Sequence, residues 1–185
     1  GEKTQQSLFG VSVSGIGDFN KDGIDDILIG ASGYSQKKGA AYVIFGQANL
    51  ENFTLSAGLN PTTGIKIKGA NLGDNLGAYA SPAGDVNHDG IDDILIGAHQ
   101  ANLFAGAAYV IFGSRTTENL DLSQGLNANR GYALYGPSAG DYFGAGVSGV
   151  GDMNGDGIDD LMIGSPGANS DIGMAFVAFT ACKVY

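Results

Sequence analysis

The stretch Asp18–Ala31, DFNKDGIDDILIGA, decides the fold. Its first nine residues place oxygen-bearing side chains at alternate positions: Asp18, Asn20 and Asp22, then Gly23, Ile24 and Asp26. Calcium takes six to eight oxygens from carboxylates, amide carbonyls and backbone carbonyls. Side chains at loop positions 1, 3 and 5 converge if the chain curls tightly, and Gly23 at position 6 permits that curl. Ile24 at position 7 offers its carbonyl with its side chain packed inward, and Asp26 at position 9 closes the site. Position 4, Lys21, is left as a solvent-facing spot. An EF-hand shares the first seven positions but needs a bidentate Glu at position 12 and a following helix. Position 12 here is Ile29, inside the β-branched run DILIGA. The loop therefore feeds a strand.

The same loop recurs. Asp85, Asn87, Asp89, Ile91 and Asp93 repeat it 67 residues on, and Asp152, Asn154, Asp156, Ile158 and Asp160 a further 67 on. IDDILIGA at 24–31 returns unchanged at 91–98 and as IDDLMIGS at 158–165. GAAYVIFG at 39–46 returns at 106–113 and as GMAFVAFT at 173–180, and LSAGLN at 55–60 as LSQGLN at 122–127. A single copy reads equally well as an Asp-Gly hairpin turn. Three copies with five matching ligand positions each favour three Ca²⁺ sites.

A fixed period of this length signals stacked or radial repeats. Each repeat reads as short strands: FGVSVSGIG from Phe9, then DILIGA, AAYVIFG and an edge strand GIKIKG at 64–69, whose counterpart is GYALYG at 131–136. No segment carries a helical period over three turns. Four antiparallel strands per unit is the blade of a β-propeller. The expected blades are 8–70, 75–137 and 142–185, the last lacking its fourth strand.

Composition narrows the function. The formal net charge is -10, and 12 of the 19 acidic residues lie in the three loops. An acidic chain is a poor phosphate binder, which excludes nucleic acid as partner. No apolar run is long enough to span a membrane. The loop carboxylates, threefold repeated and held ionised by a cation, leave little for acid–base catalysis. His88 and His99, at non-equivalent positions, read as surface or packing residues rather than catalysts. The expectation is a non-enzymatic protein.

These residues resemble the FG-GAP repeat of integrin α-subunit β-propellers and their relatives. Phe9-Gly10 and Phe143-Gly144 are the FG pair, with Leu76-Gly77 a departure in the second copy. Gly30-Ala31-Ser32, Gly97-Ala98-His99 and Gly164-Ser165-Pro166 stand where GAP is expected. The resemblance implies an all-β blade with the calcium loop joining its first two strands, in an extracellular or cell-surface setting. The family's ring has about seven blades, more than the three present.

Two arrangements answer that shortfall. The blades continue into a longer propeller, acting as an adhesion or glycan- or protein-binding module. Alternatively, copies of the chain stack head to tail into a ring or filament as a structural assembly, the reading narrowly preferred. A partner strand added to an open edge is a further possibility. Asn52-Phe53-Thr54 is a glycosylation sequon in the loop before the edge strand. Cys182 lies just past the last strand, and Tyr132, Tyr135 and Tyr142 are packing or carbohydrate-facing aromatics.

Overall fold

Each repeat folds into an antiparallel sheet because its central strand carries apolar side chains on both faces and needs a neighbour on each. The computed structural model describes residues 6–48 and 59–181. The first sheet contains β1 (Phe9–Gly15), β2 (Ile27–Ala31), β3 (Ala40–Ile44) and β4 (Gly64–Lys68). The second contains β5 (Tyr79–Gly84), β6 (Asp93–Ala98), β7 (Ala107–Ile111) and β9 (Gly131–Tyr135). The third contains β10 (Gly146–Gly151), β11 (Asp160–Ser165) and β12 (Met174–Ala178). Strands run in sequence order within each sheet, and the short β8 (Leu120–Asp121) joins the first sheet beyond β4. The chain is thus all-β, with three antiparallel blades, the last three-stranded among the described residues.

The registers repeat. Ile29 lies opposite Tyr42, Ile96 opposite Tyr109, and Ile163 opposite Phe176. Side chains alternate across a strand, so neighbouring residues of ILI point to different blades. Leu28 and Val43 meet Ile94, Ile96 and Ile111 in one core. Leu95 and Val110 meet Leu161 and Ile163 in the next. Every blade therefore has a forward face and a backward face. In β1 the serines, not the valines, reach the second blade: Ser12 Oγ donates to the Gly77 carbonyl at 3.0 Å and Ser14 Oγ to that of Ala80 at 3.3 Å.

The FG pair is an interblade corner. Leu76 bridges Gly39 of the blade before it, and Phe143 bridges Gly106. Both side chains are buried. The following glycines turn with positive φ in close quarters: a Cβ on Gly144 would lie 2.4 Å from the Ala107 carbonyl oxygen. Leu76 does the work of Phe143, so the departure in the second copy is tolerated because the pocket needs bulk rather than an aromatic ring.

One strand differs from the sequence reading. GIKIK is not an exposed edge, because β8 lies along β4 in parallel, Ile67 opposite Leu120 and Lys68 opposite Asp121. Its lysines find local partners instead; Lys66 Nζ sits 3.6 Å from the centroid of the Tyr34 ring, a cation–π contact. The eight-residue connections after β2, β6 and β11 each contain a four-residue turn with left-handed residues, Ser35 and Gln36, Asn102 and Leu103, Asn169 and Ser170.

The corner is testable by two glycines. Gly144→Ala places a methyl against the Ala107 carbonyl in a left-handed backbone, so stability should fall by ~2 kcal/mol or more. Gly10→Ala keeps the left-handed backbone (φ +85°) but meets nothing within 4 Å, and should cost about half as much. Equal urea midpoints for the two variants would show that the corner is not a packed contact.

Candidate metal centres

The three Asp loops adopt one conformation. In the first, Asp18 Oδ1 accepts the Asp22 N–H at 2.9 Å and Oδ2 accepts that of Gly23 at 2.8 Å. Asn20 Oδ1 accepts the Asp22 N–H and Asp22 Oδ1 accepts the Ile24 N–H, both at 2.9 Å. Asp85, Asn87 and Asp89 repeat every one of these bonds, and so do Asp152, Asn154 and Asp156. The curl rests on two left-handed residues. Position 4 is Lys21, His88 or Gly155, and position 6 is Gly23, Gly90 or Gly157, all at positive φ. Position 4 is therefore a conformational position as well as a surface one, and the Lys21 ammonium also reaches the Gly90 carbonyl of the next loop.

Position 7 varies in its side chain. Ile158 is buried, Ile91 half-buried and Ile24 exposed, so inward packing holds only for the third copy. Position 9 is constant. Asp26, Asp93 and Asp160 are buried, and each ties its loop to the end of the third strand. Asp26 accepts N–H bonds from Phe19 and Gly46, Asp93 from Val86 and Gly113, and Asp160 from Met153 and Thr180, at 2.8–3.0 Å. Burial pushes the Asp26 carboxyl up to about 6 and that of Asp93 to about 8, against the pull of those amides. At the exposed end of the third loop the Gly157 amide, with those of Gly155 and Asp156 behind it, holds Asp152 below the usual carboxylate range.

Among the described residues no three His, Cys, Asp or Glu side chains form a ready-made metal cluster. The donor set of each loop is mixed: three carboxylates, one amide oxygen and one backbone carbonyl. That chemistry fits a hard cation such as Ca²⁺, and each side-chain oxygen that accepts one amide keeps a lone pair.

A functional position escaped the sequence reading. Asp92 Oδ2 accepts the N–H of Asp18, 3.0 Å away in the preceding blade, and Asp159 Oδ2 accepts that of Asp85 at 2.9 Å. The eighth residue of the second and of the third loop thus caps the first residue of the loop before it. Gly17 and Gly84 leave room for the visiting carboxylate: a Cβ there would lie 2.2 and 2.0 Å from it. The DD pair repeated in IDD was the available signal. Of the other candidates, Tyr132 packs edge-on against Phe112, and Tyr142 lies tilted against Phe104. Asn52 and Cys182 lie outside the described residues. His88 stands at position 4 of its loop, and His99 packs edge-on against Tyr79.

Antiparallel blades that pass from first to second strand through an acidic Asp-Gly loop, and that lock to one another through an FG corner, define an all-β protein of propeller type. The chain matches the family described as FG-GAP repeat over residues 9–44, 77–111 and 143–177, and it belongs to that family. It is 35% identical over 157 residues to integrin alpha-PS5 of Drosophila melanogaster, covering 83% of this chain and 14% of that one. Integrin alpha-5 of Xenopus laevis is 30% identical over 175 residues, 90% of this chain and 15% of that one. Human phosphatidylinositol-glycan-specific phospholipase D is 30% identical over 163 residues, 80% of this chain and 18% of that one. The chain thus spans under a fifth of the length of each of these relatives.

Two predictions concern these carboxylates. Asp26 and Asp93 hold protons more tightly folded than unfolded, so without metal their stabilisation is complete below about pH 3.8 and is lost as pH rises through about 6 and about 8 respectively. The melting temperature in chelator should therefore fall less across pH 4–8 in Asp93→Asn than in the parent; identical pH profiles would refute the assignment. Asp92→Ala leaves the Asp18 amide without its acceptor and should cost about 1–3 kcal/mol in urea denaturation. Asp25→Ala, at the equivalent exposed position of the first loop, should change the stability of the monomer by less than ~0.5 kcal/mol.

Proposed function

We propose that the chain is a calcium-stabilised run of propeller blades in an extracellular, adhesion-type protein, and that its end faces pair with further blades or with copies of itself. The observation that carries this reading is the interblade carboxylate link, made twice within the chain and offered again at both ends. Asp25 presents the same carboxylate on the first blade, and the Asp152 N–H stands beside Gly151, where a Cβ would meet nothing within 4 Å. The apolar faces match this polarity. Val13 (70% exposed) and Ile27 (48%) lie on the first blade, and Met162 and Val177 (each 40%) on the third. These are the backward and forward halves of the interface that buries Ile94 and Leu95 in the middle. A head-to-tail contact of this kind closes into a ring or runs on as a filament; the filament is the arrangement preferred here.

In this reading Asp18, Asn20, Asp22, Ile24 and Asp26 hold one Ca²⁺, and their counterparts in the other two loops hold two more. Bound calcium supplies positive charge and cross-links the curl. Three ions would move the formal charge from -10 by +6 to -4, relieving repulsion between neighbouring aspartates. The role is structural rather than catalytic. No helix among the described residues is long and apolar enough to cross a membrane, and a cell-surface place for the chain rests on its likeness to integrin alpha chains.

A second reading, as a binding module for a protein or glycan, is favoured by the turns after β6 and β11. They expose Leu103 (82%) and Ile172 (77%) at their tips, and loops on a rigid scaffold serve recognition.

Calcium at a hundredfold excess over Kd should stabilise the fold by roughly 2.7 kcal/mol per site, and calorimetry should find three ions per chain, falling by one in Asp89→Ala. Equal melting temperatures in calcium and in chelator would remove the metal from the proposal. Sedimentation of the 185-residue chain at micromolar concentration should show polymers or rings that Asp25→Lys disperses. A stable monomer would leave only pairing with further blades.

A further inference from the structure

The first blade is strapped by the second. Between β7 and β9 the chain crosses to β4, and β8 adds to it in parallel. Asn119 Oδ1 accepts the Lys66 N–H at 2.7 Å, so a side chain completes the ladder. Leu122 is buried in the core between the two blades, and Leu120 and Leu126 pack against that core. The strap is thus a short strand with an asparagine, followed one and three residues later by leucines that seal the blade seam.

β9 pairs with β7 as β4 pairs with β3, and among the described residues nothing pairs along its outer edge. Beside it lies a cavity of about 520 Å³, lined in part by Val86, Phe112, Tyr132, Leu134 and Phe179. The first four stand one period after Phe19, Phe45, Ile65 and Ile67, which are all buried in the strapped blade. One 67-residue period beyond Asn119–Leu122 lies past Tyr185, the last residue of the sequence. Among the described residues, the groove that is filled on the first blade is open on the second.

We propose that the β9 edge and this cavity bind an extended apolar strand of the strap type, entering parallel to β9 and carrying an asparagine. The asparagine accepts the Ala133 N–H, as Asn119 accepts that of Lys66, and the apolar residues after it enter the cavity. Strand addition of this kind takes affinity from main-chain hydrogen bonds and specificity from side-chain pockets. The two edges differ in charge. Asp121 lies 3.8 Å from Lys38 Nζ and 3.9 Å from Lys68 Nζ, and the counterparts of those lysines are Ala105 and Tyr135. The β9 edge therefore selects a strand without the acid that β4 accepts. This inference rests on the reading of the chain as a run of blades and names the surface by which the strap of a following blade is received.

The probe is a fluorescent peptide of Thr117–Asn127 carrying Asp121→Ala, titrated into the 185-residue protein in calcium and followed by anisotropy and hydrogen exchange. Saturable one-to-one binding is expected, with slowed exchange at the Tyr132–Tyr135 amides. A further Asn119→Ala change in the peptide should weaken binding about tenfold. The peptide that keeps Asp121 should bind more weakly than the Ala form, and Tyr135→Lys in the protein should reverse that order. Tyr135 is exposed, so this variant keeps the fold. Absence of saturable binding, protection at Lys66–Lys68 instead, or an unchanged order in Tyr135→Lys would each overturn the proposal. Failure of the blade reading would be distinguishable, since it appears as an unchanged stability in Asp92→Ala, which removes the interblade link, whatever the peptide does.

Discussion

Burial between blades is the constraint on which the rest of the structure depends. A single sheet with apolar side chains on both faces has no solvated side, and a second sheet covers only one of them. Leu28 and Ile94 bury together, as do Leu95 and Leu161, because each blade lends one face to its neighbour. Fully burying one such side chain stabilises by about 1.5–3 kcal/mol, so stability belongs to the seams rather than to the blades. The FG corner, the Ser12 hydroxyl and the strap through Leu122 are all seam devices. Repeat proteins of this kind behave as quasi-one-dimensional chains of neighbour interactions.

The acidic loops sit at the rim of those seams and divide their labour by position. Asp18, Asn20 and Asp22 curl the chain by accepting its own amides. Asp26, buried, holds the loop to the end of β3. Asp25 stands at the position from which Asp92 and Asp159 reach the blade before them. A cation in the curl would thus stabilise one blade and also steady the amide that the next blade's aspartate grips. In the proposed reading metal binding and blade docking would share the same few residues, which would couple them physically.

Much of this was legible in the residues. The 67-residue period, the strand count and the shared curl of the three Asp loops follow from local rules: alternation, Asp-Gly turns and the spacing of short acidic side chains. What stayed hidden depends on neighbours far apart in sequence. Asp92 reads like any other loop aspartate until its carboxylate is found on the Asp18 amide, 74 residues away. The Ile-Lys alternation of GIKIK describes an edge strand, and only the return of residues 119–122 shows that this edge is covered.

By itself the sequence determined the repeat, the strand order within a blade and the chemistry of each Asp loop, because those rest on bonds within a few tens of residues. The tertiary structure alone decided which side of each strand meets which blade, which of two adjacent aspartates serves its own loop and which serves its neighbour's, and which outer edge is strapped. The physical reason is that seams are made by surfaces, and a surface is assembled from residues a whole period apart whose side-chain directions are set only when the sheets twist and dock.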